Sequence, residues 1–218
     1  MTKSNNLPKK KRGRPKGTKH INKTAILNIA IQEFANKGFD GARQQNIAKA
    51  AGITNSLMNY HFDSKKDLWQ QAIIQLSKKL KQRYTEVEGY FKDLEGMAAF
   101  KAYTRQFVYF SAEHPEFYKV VFHEMCTQTE RADWLVETIL NPLHQIFGGT
   151  TTNPQSNIEE FKGFPVANLS SIIIGAANVF FIHAFQMKKM HGTDAFDKEE
   201  IEKHADIVIG ILFAKFHL

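Results

Sequence analysis

The residues best suited to chemistry lie close together, between Gln44 and Phe62, in the run QQNIAKAAGITNSLMNYHF. Asn55 and Asn59 carry amides, which donate and accept at once and so match the N6/N7 edge of adenine; Thr54 and Ser56 offer hydroxyls for weaker contacts with base edges. Arg43, Tyr60 and Lys65 are suited to phosphate oxygens. Lys65 falls in the first turn of an expected helix, where free backbone N–H groups and the helix dipole already favour an anion. This is chemistry of recognition and not of bond making. The nine histidines are scattered without paired ligand spacing, and Gly13-x-x-x-Gly17-Thr18-Lys19 has the wrong spacing and order for a phosphate-cradling loop. The lone Cys126 lacks a nucleophile context and cannot form an internal disulfide. Neither a metal site, a cofactor nor an enzymatic activity is expected. Asn22-Lys23-Thr24 and Asn168-Leu169-Ser170 match glycosylation sequons, which carry meaning only after secretion, and the N-terminus lacks the apolar stretch of a secretory signal.

Recognition residues need elements to hold them. Ile47 and Ala48 fall on the inner face of one short helix, about 44–51, with Ala48 small enough for a second helix to cross closely. Gly52 permits the left-handed backbone of a tight turn. A second short helix, about 54–60, starts at Thr54 as N-cap. Ile53 and Met58 bury it while Asn55, Ser56 and Asn59 point outward. Two short helices around such a turn form either an ordinary helical corner or a helix-turn-helix, whose second helix enters the major groove. Ahead of them, Leu27, Ala30, Ile31 and Phe34 share one helical face, with Gly38 as the expected stop. Behind them, Ser64 with Asp67 makes a capping-box start for a long helix reaching roughly Tyr84.

Charge separates the two readings of the corner. Residues 1–85 hold eighteen Lys/Arg against four Asp/Glu, whereas residues 86–218 hold eleven against eighteen, so a basic end is joined to an acidic remainder. That asymmetry suits a polyanion-binding end attached to a part with another task, and it favours the helix-turn-helix. Residues 1–20 contain eight Lys/Arg, no acid, and only Met1 and Leu7 as apolar side chains, which reads as a disordered arm. Within it, Lys11-Arg12-Gly13-Arg14-Pro15-Lys16-Gly17 looks like an AT-hook, in which Arg12 and Arg14 would slide into a narrow A·T minor groove. A generic polybasic tail, adding affinity through counterion release, explains the same run equally well.

The rest of the chain reads as helices at about 94–113, Pro115 to about Cys126, 130–147, 166–190 and 197–216, with a Gly/Thr/Asn/Pro/Ser-rich loop over Gly148–Pro165. No strand-period alternation of useful length and no internal repeat occurs, so the chain is expected to be all-α. Gly163–Met187 contains no charged residue, long enough to raise a transmembrane helix. Asn168, Ser170, Ser171, Asn178, His183 and Gln186 would be costly in lipid, and no membrane partner is expected. A helix apolar all round is better explained by one face packed on its own domain and another on a second copy. The helix at about 197–216 behaves likewise, and two such helices per chain would build a four-helix homodimer interface.

The motifs Ile29-Ala30…Phe34…Lys37-Gly38-Phe39, Ile47-Ala48…Ala51-Gly52-Ile53-Thr54 and His61-Phe62-x-Ser64-Lys65-x-x-Leu68, in this order over about residues 22–70, resemble those of the tetracycline-repressor (TetR) family of bacterial transcriptional regulators. Two departures stand out. Ala42-Arg43 replaces the Thr or Ser usual before the second helix, which removes a cap, and Asn59 stands where a phosphate-touching Tyr is common; Tyr60 beside it can take that role. The resemblance implies about nine helices in a three-part chain: a basic arm (1–20), a three-helix helix-turn-helix domain (21–68), and an effector-binding and dimerisation domain (69–218). It implies a cytoplasmic homodimer that binds a double-stranded DNA operator, most simply a repressor released from a palindrome by a small, largely apolar effector of unknown identity. It also implies a cavity among the aromatic-rich helices, for which Phe107, Phe110, Phe122, Met125, Trp134, His144, Phe181 and His183 are the candidates. The competing expectation is an architectural DNA binder with no effector.

Overall fold

A computed structural model of the chain describes residues 22–91, 94, 96–144 and 165–212. The expected arm with Arg12 and Arg14, nearly all of the expected 148–165 loop and the end of the last helix lie outside the described residues. Among those residues the structure is helical, with no strand.

Helix α1 (Lys23–Gly41) starts from Asn22, whose side-chain oxygen accepts the Thr24 N–H at 2.6 Å. It buries Ile26, Leu27, Ala30, Ile31 and Phe34, the face set by its apolar period. Gly38 interrupts the helix at the expected place. Its φ of 66° and ψ of 175° break the ladder, and a further helical turn follows to Gly41. The kink lays the Phe39 ring against Phe34, with centroids 6.0 Å apart, and edge-on to Trp69. Helices α2 (Gln44–Ala50) and α3 (Asn55–His61) follow.

Helix α4 (Lys65–Phe91) opens on the expected cap, with Ser64 Oγ accepting the Asp67 N–H and the Asp67 carboxylate accepting the Asp63 N–H. It runs past Tyr84 because residues 85–88 contain no helix breaker, and Gln82 bonds Glu86 one turn on. A chain division at residue 68 therefore falls within the first turn of α4, so one continuous helix joins the two parts.

Helices α5 (Gly96–Glu113) and α6 (Pro115–Met125) meet at His114, with Pro115 at the first helical position. Helix α7 (Glu130–Leu135) leads into a π-helical turn, Val136–Leu140. The apolar stretch expected as one helix over 166–190 is two, α8 (Val166–Ile182) and α9 (Ala184–His191), bent by 66° where His183 leaves helical geometry at ψ 21°. That break takes the described count to ten helices, one more than expected, ending with α10 (Lys198–Leu212). Among the described residues no single helix is long and apolar enough to cross a membrane; α8 and α9 reach that length only as the bent pair.

Packing runs through α1. It lies against α4 on one side and α6 on the other, while α5 packs on α8 and α10. The core is one connected cluster, from Phe34, Phe62 and Trp69 near the front of the chain to Phe110, Phe117 and Phe181 behind. Arg105 on α5 pins α10 through Asp206 at 2.5 Å and Glu202 at 3.5 Å, and the Tyr109 hydroxyl donates to Glu202.

Candidate nucleic-acid interface and interior cavity

The turn between α2 and α3 is closed by its own backbone. Ala51 N–H donates to Ile47, Gly52 to Lys49 and Ile53 to Ala48, and Gly52 sits at φ 65°. Ile47, Ala48, Ala51 and Met58 are buried beneath it, with Ile53 half-buried. Small side chains let the two helices cross closely, and the large Met58 anchors α3 from below. What remains outside is the expected set: Arg43, Thr54, Asn55, Ser56, Asn59 and Tyr60 are all exposed, Tyr60 at 81%. Thr54 also caps α3, its Oγ1 accepting the Leu57 N–H at 3.2 Å. Tyr60 packs edge-on to His61, which fixes the ring while leaving the phenol in solvent.

Lys65 is placed differently from the others. It is half-buried, its ammonium donating to the Asp40 carbonyl at 3.3 Å and lying 4.7 Å from the Phe39 ring centre. Its charge is thus partly spent inside the chain. Lys23, which the sequence reading passed over, stands at the first turn of α1 with its ammonium 5.2 Å from the Phe62 ring, just beyond the end of α3. The signal was present in the sequence: Lys23 is the cation nearest the start of the first folded helix.

The cap missing before α2 is supplied from another helix. Arg43 makes no side-chain cap. Instead the Glu33 carboxylate, on α1, faces the start of α2: it accepts from Lys37 Nζ at 2.7 Å and Asn46 Nδ2 at 3.3 Å, with the Arg43 backbone N–H as a further donor. Burial pushes the Glu33 pKa up, but these donors outweigh it and hold the carboxyl below its ordinary range. An acid at the start of a helix satisfies free N–H groups and complements the dipole.

This head is wired to the rest of the molecule at two points on α6. Near its start, Glu116 takes hydrogen bonds from His114 and from Gln32 of α1; burial raises its pKa, but these partners lower it further. Near its end, the buried Glu124 accepts from Arg131 Nε at 3.1 Å and Thr129 Oγ1 at 3.2 Å. Arg131 also lies over the Phe39 ring, 4.0 Å from its centre, and reaches Asp40 at 3.8 Å. One guanidinium therefore joins α6, α7 and the kinked end of α1.

The same α6 walls a cavity of about 440 Å³, within the size range of small-molecule sites. Tyr84 (α4), Phe100, Tyr103, Thr104 and Phe107 (α5), Tyr118, Val121, Phe122 and Met125 (α6), and Ile173, Ile174 and Gly175 (α8) line it. Leu140, Asn141, Leu143, His144, Ser170 and Ser171 complete the wall, with His144 Nε2 3.3 Å from Ser170 Oγ. Of the eight candidates, Phe107, Phe122, Met125 and His144 come together here. The other four stand elsewhere. Phe110 packs on Phe117 and His114, and Trp134 on Trp69. Phe181 packs on Phe180, Phe196 and His204, while His183 occupies the break between α8 and α9. Tyr84 and Tyr103 were missed because a tyrosine at helical spacing looks like core. Among the described residues no group of three or more His, Cys, Asp or Glu is placed to hold a metal ion.

Comparison with known proteins agrees with this geometry. Residues 26–72 match the family described as "Bacterial regulatory proteins, tetR family". The chain is 41% identical over 51 residues to the biofilm operon icaADBC HTH-type negative transcriptional regulator IcaR of Staphylococcus aureus, covering 23% of this chain and 27% of IcaR. It is 30% identical over 103 residues to the HTH-type transcriptional regulator RutR of Escherichia coli, covering 47% of each. The matches thus span less than half the length of these curated relatives. In overall shape it is similar to the transcriptional regulator FadR of Bacillus subtilis, solved in complex with stearoyl-CoA, with a TM-score of 0.63 and 18% identity over 88% of this chain and 98% of that one. Residues 26–72 thus carry a helix-turn-helix like that of the tetR family of bacterial regulatory proteins, and the chain as a whole shares the all-helical fold of a solved regulator.

Proposed function

We propose that the chain is a cytoplasmic, homodimeric DNA-binding regulator, a repressor released from a palindromic operator by a small, largely apolar effector. One observation carries the reading: the exposed row Thr54, Asn55, Ser56, Asn59 and Tyr60 stands on a helix whose supporting end of α1 is tied through Arg131 to the helices walling a ligand-sized cavity. In this reading Asn55 and Asn59 contact base edges, Thr54 and Ser56 assist, and Arg43, Tyr60 and Lys65 hold phosphates. Arg12 and Arg14 follow the minor groove beside them.

Two heads are needed to address half-sites about 34 Å apart or a multiple of that. Support for a dimer comes from α8 and α10, which leave Ile172, Val179, Ile207 and Ile211 between 41% and 59% exposed although both helices are otherwise core-forming. Isolated exposed apolar residues are ordinary; a set of them on two adjacent helices marks an interface. Effector binding then favours one dimer geometry, and α4 and the Arg131 contact carry the difference to the heads.

Selecting DNA from a random pool with the purified protein tests this. A palindrome with half-sites one or more helical turns apart, bound in a 2:1 complex and released by a small molecule, is the expected result. Sequence-indifferent, salt-sensitive binding would favour an architectural role instead.

A further inference from the structure

The chemistry of the cavity says more about its occupant than "apolar". Its inner wall is aromatic: Tyr84 and Tyr103 stack face to face at 5.5 Å and 5°, and Tyr118 meets Phe107 edge-on at 5.7 Å. Among the described lining residues there is no Lys, Arg, Asp or Glu. Burial pushes the Tyr118 phenol well above its ordinary pKa, and burial together with Tyr118 and Tyr103 does the same for Tyr84, so both stay neutral. An ion entering this space would lose its hydration and find no Lys, Arg, Asp or Glu among the described lining residues to pair with.

Tyr118 is the informative residue. It is 6% exposed and lines the cavity, yet its hydroxyl bonds no group among the described residues. That hydroxyl is not among the buried polar atoms left without a partner, which for the described residues are Trp69 Nε1, Arg83 Nη1 and Asn178 Oδ1, so it is open to the cavity and within reach of an occupant. The Tyr84 hydroxyl, by contrast, donates to the Tyr103 carbonyl. At another part of the wall His144 and Ser170, with Ser171, form a polar group that is more exposed.

We infer that the effector is an uncharged molecule with an aromatic or similarly flat apolar body, carrying a neutral hydrogen-bond acceptor (a carbonyl or ether oxygen) that takes the Tyr118 proton. This rests on the cavity being the effector site proposed above. Tyr118 selects for an acceptor, the ring-lined wall selects for flatness, and the lack of Lys and Arg among the described lining residues disfavours carboxylates. Any polar extension leaves past His144 and Ser170.

The test is displacement of a neutral fluorescent probe, N-phenyl-1-naphthylamine, from the intact protein by three molecules of similar shape: 2-acetylnaphthalene, 2-ethylnaphthalene and 2-naphthoate. The ketone is expected to compete about tenfold better than the hydrocarbon, the worth of one hydrogen bond to a buried donor. That preference should vanish in Tyr118→Phe, whose fold is checked by circular dichroism and melting. The carboxylate should compete worst. Equal competition by ketone and hydrocarbon, or a preference that survives Tyr118→Phe, overturns the role of Tyr118. Competition by naphthoate as strong as by the ketone overturns the uncharged class. Gly175 lines the cavity and a Cβ there meets nothing within 4 Å, so Gly175→Leu should occupy cavity space and abolish probe binding, with its fold checked as for Tyr118→Phe. Saturable binding unaffected by Gly175→Leu would place the probe elsewhere and overturn this inference at its base. Release from the selected operator, measured separately, would still decide the regulatory proposal.

Discussion

The head and the cavity are built on opposite plans. Around α3 the side chains pointing inward are few and tightly placed, so the surface residues are held on a rigid support whose contacts are nearly all local in sequence. Around the cavity the wall is assembled from α4, α5, α6 and α8 together with residues 140–144, segments as far apart in sequence as Tyr84 and Gly175, and the large rings that line it leave space. Interiors normally pack as densely as organic crystals, so such a gap among aromatic side chains supports the effector site proposed above. The difference teaches where each task resides: reading needs a fixed shape, while responding needs a shape that an occupant can complete. Arg131 is the point where the two plans touch.

That makes Arg131 the place to break the comparison most severely. Arg131→Ala leaves Glu124, only 2% exposed, as a buried carboxylate with a single hydroxyl partner, and removes the cation over Phe39. Removing one member of a buried pair costs about 3–5 kcal/mol, and a clear fall in melting temperature is expected. Arg131→Ala with Glu124→Gln should recover much of the stability without recovering effector control of DNA binding. If the double variant responds to effector as well as wild type does, the coupling runs through another contact.

A smaller change separates head from cavity. Ala48 is 1% exposed at the crossing of α2 and α3, so Ala48→Leu overpacks it at about 1–3 kcal/mol. Operator binding should fall steeply while N-phenyl-1-naphthylamine binding stays as it was. Loss of both would show that the two parts fold as one tightly coupled unit.

Within the head, the two kinds of contact can be told apart. Asn59→Ala should relax sequence preference by about 1–3 kcal/mol at one operator position, the usual worth of a base-edge pair. Tyr60→Phe should weaken selected and scrambled DNA alike. Gel-shift titration on both DNAs reads the pattern, and a uniform loss from Asn59→Ala would move it from base to backbone.

The same contrast explains what could be seen in the sequence. Ile47, Ala48, Gly52, Thr54 and Met58 lie within twelve positions, so their turn, cap and buried faces follow from local periodicity, and the structure places them accordingly. Where the outcome depended on distant partners the sequence was silent. It showed the lost cap at Arg43 but not that Glu33, on another helix, would replace it. It marked Gly38 as an end but not the further helical turn beyond it, where Phe39 packs on Phe34 and Trp69. Phe107 and Phe110 are three residues apart on one helix, and only the position of α6 puts the first against the cavity and the second against Phe117. His183 looked like a polar anchor in an apolar helix; it marks the bend instead.

The gentlest probe of the comparison is pH. His204 on α10 is stacked on Phe180 at 4.4 Å, set edge-on against Phe181, with Nε2 2.9 Å from the Ala176 carbonyl, so the neutral ring donates there. Burial lowers its pKa and outweighs the carbonyl, which favours the charged form. The unfolded chain therefore binds a proton before the folded chain does, and stability falls as pH drops below about 6.5, levelling once the folded pKa is passed. Glu33 behaves as a depressed carboxylate: its contribution is complete above its unfolded value and is lost only as pH falls through its lower folded pKa. Acid should thus weaken the α8–α10 region before it weakens the seat of α2. Each pH unit crossed in the histidine window costs at most about 1.4 kcal/mol, so the comparison is read as a difference between wild type and His204→Phe in melting temperature at pH 7.5 and 5.5. Wild type should lose more than the variant over that interval, and hydrogen exchange at pH 5.5 should quicken in α8 and α10 while α2 and α3 hold. Parallel losses in both proteins would mean that other groups set the acid sensitivity of the C-terminal half.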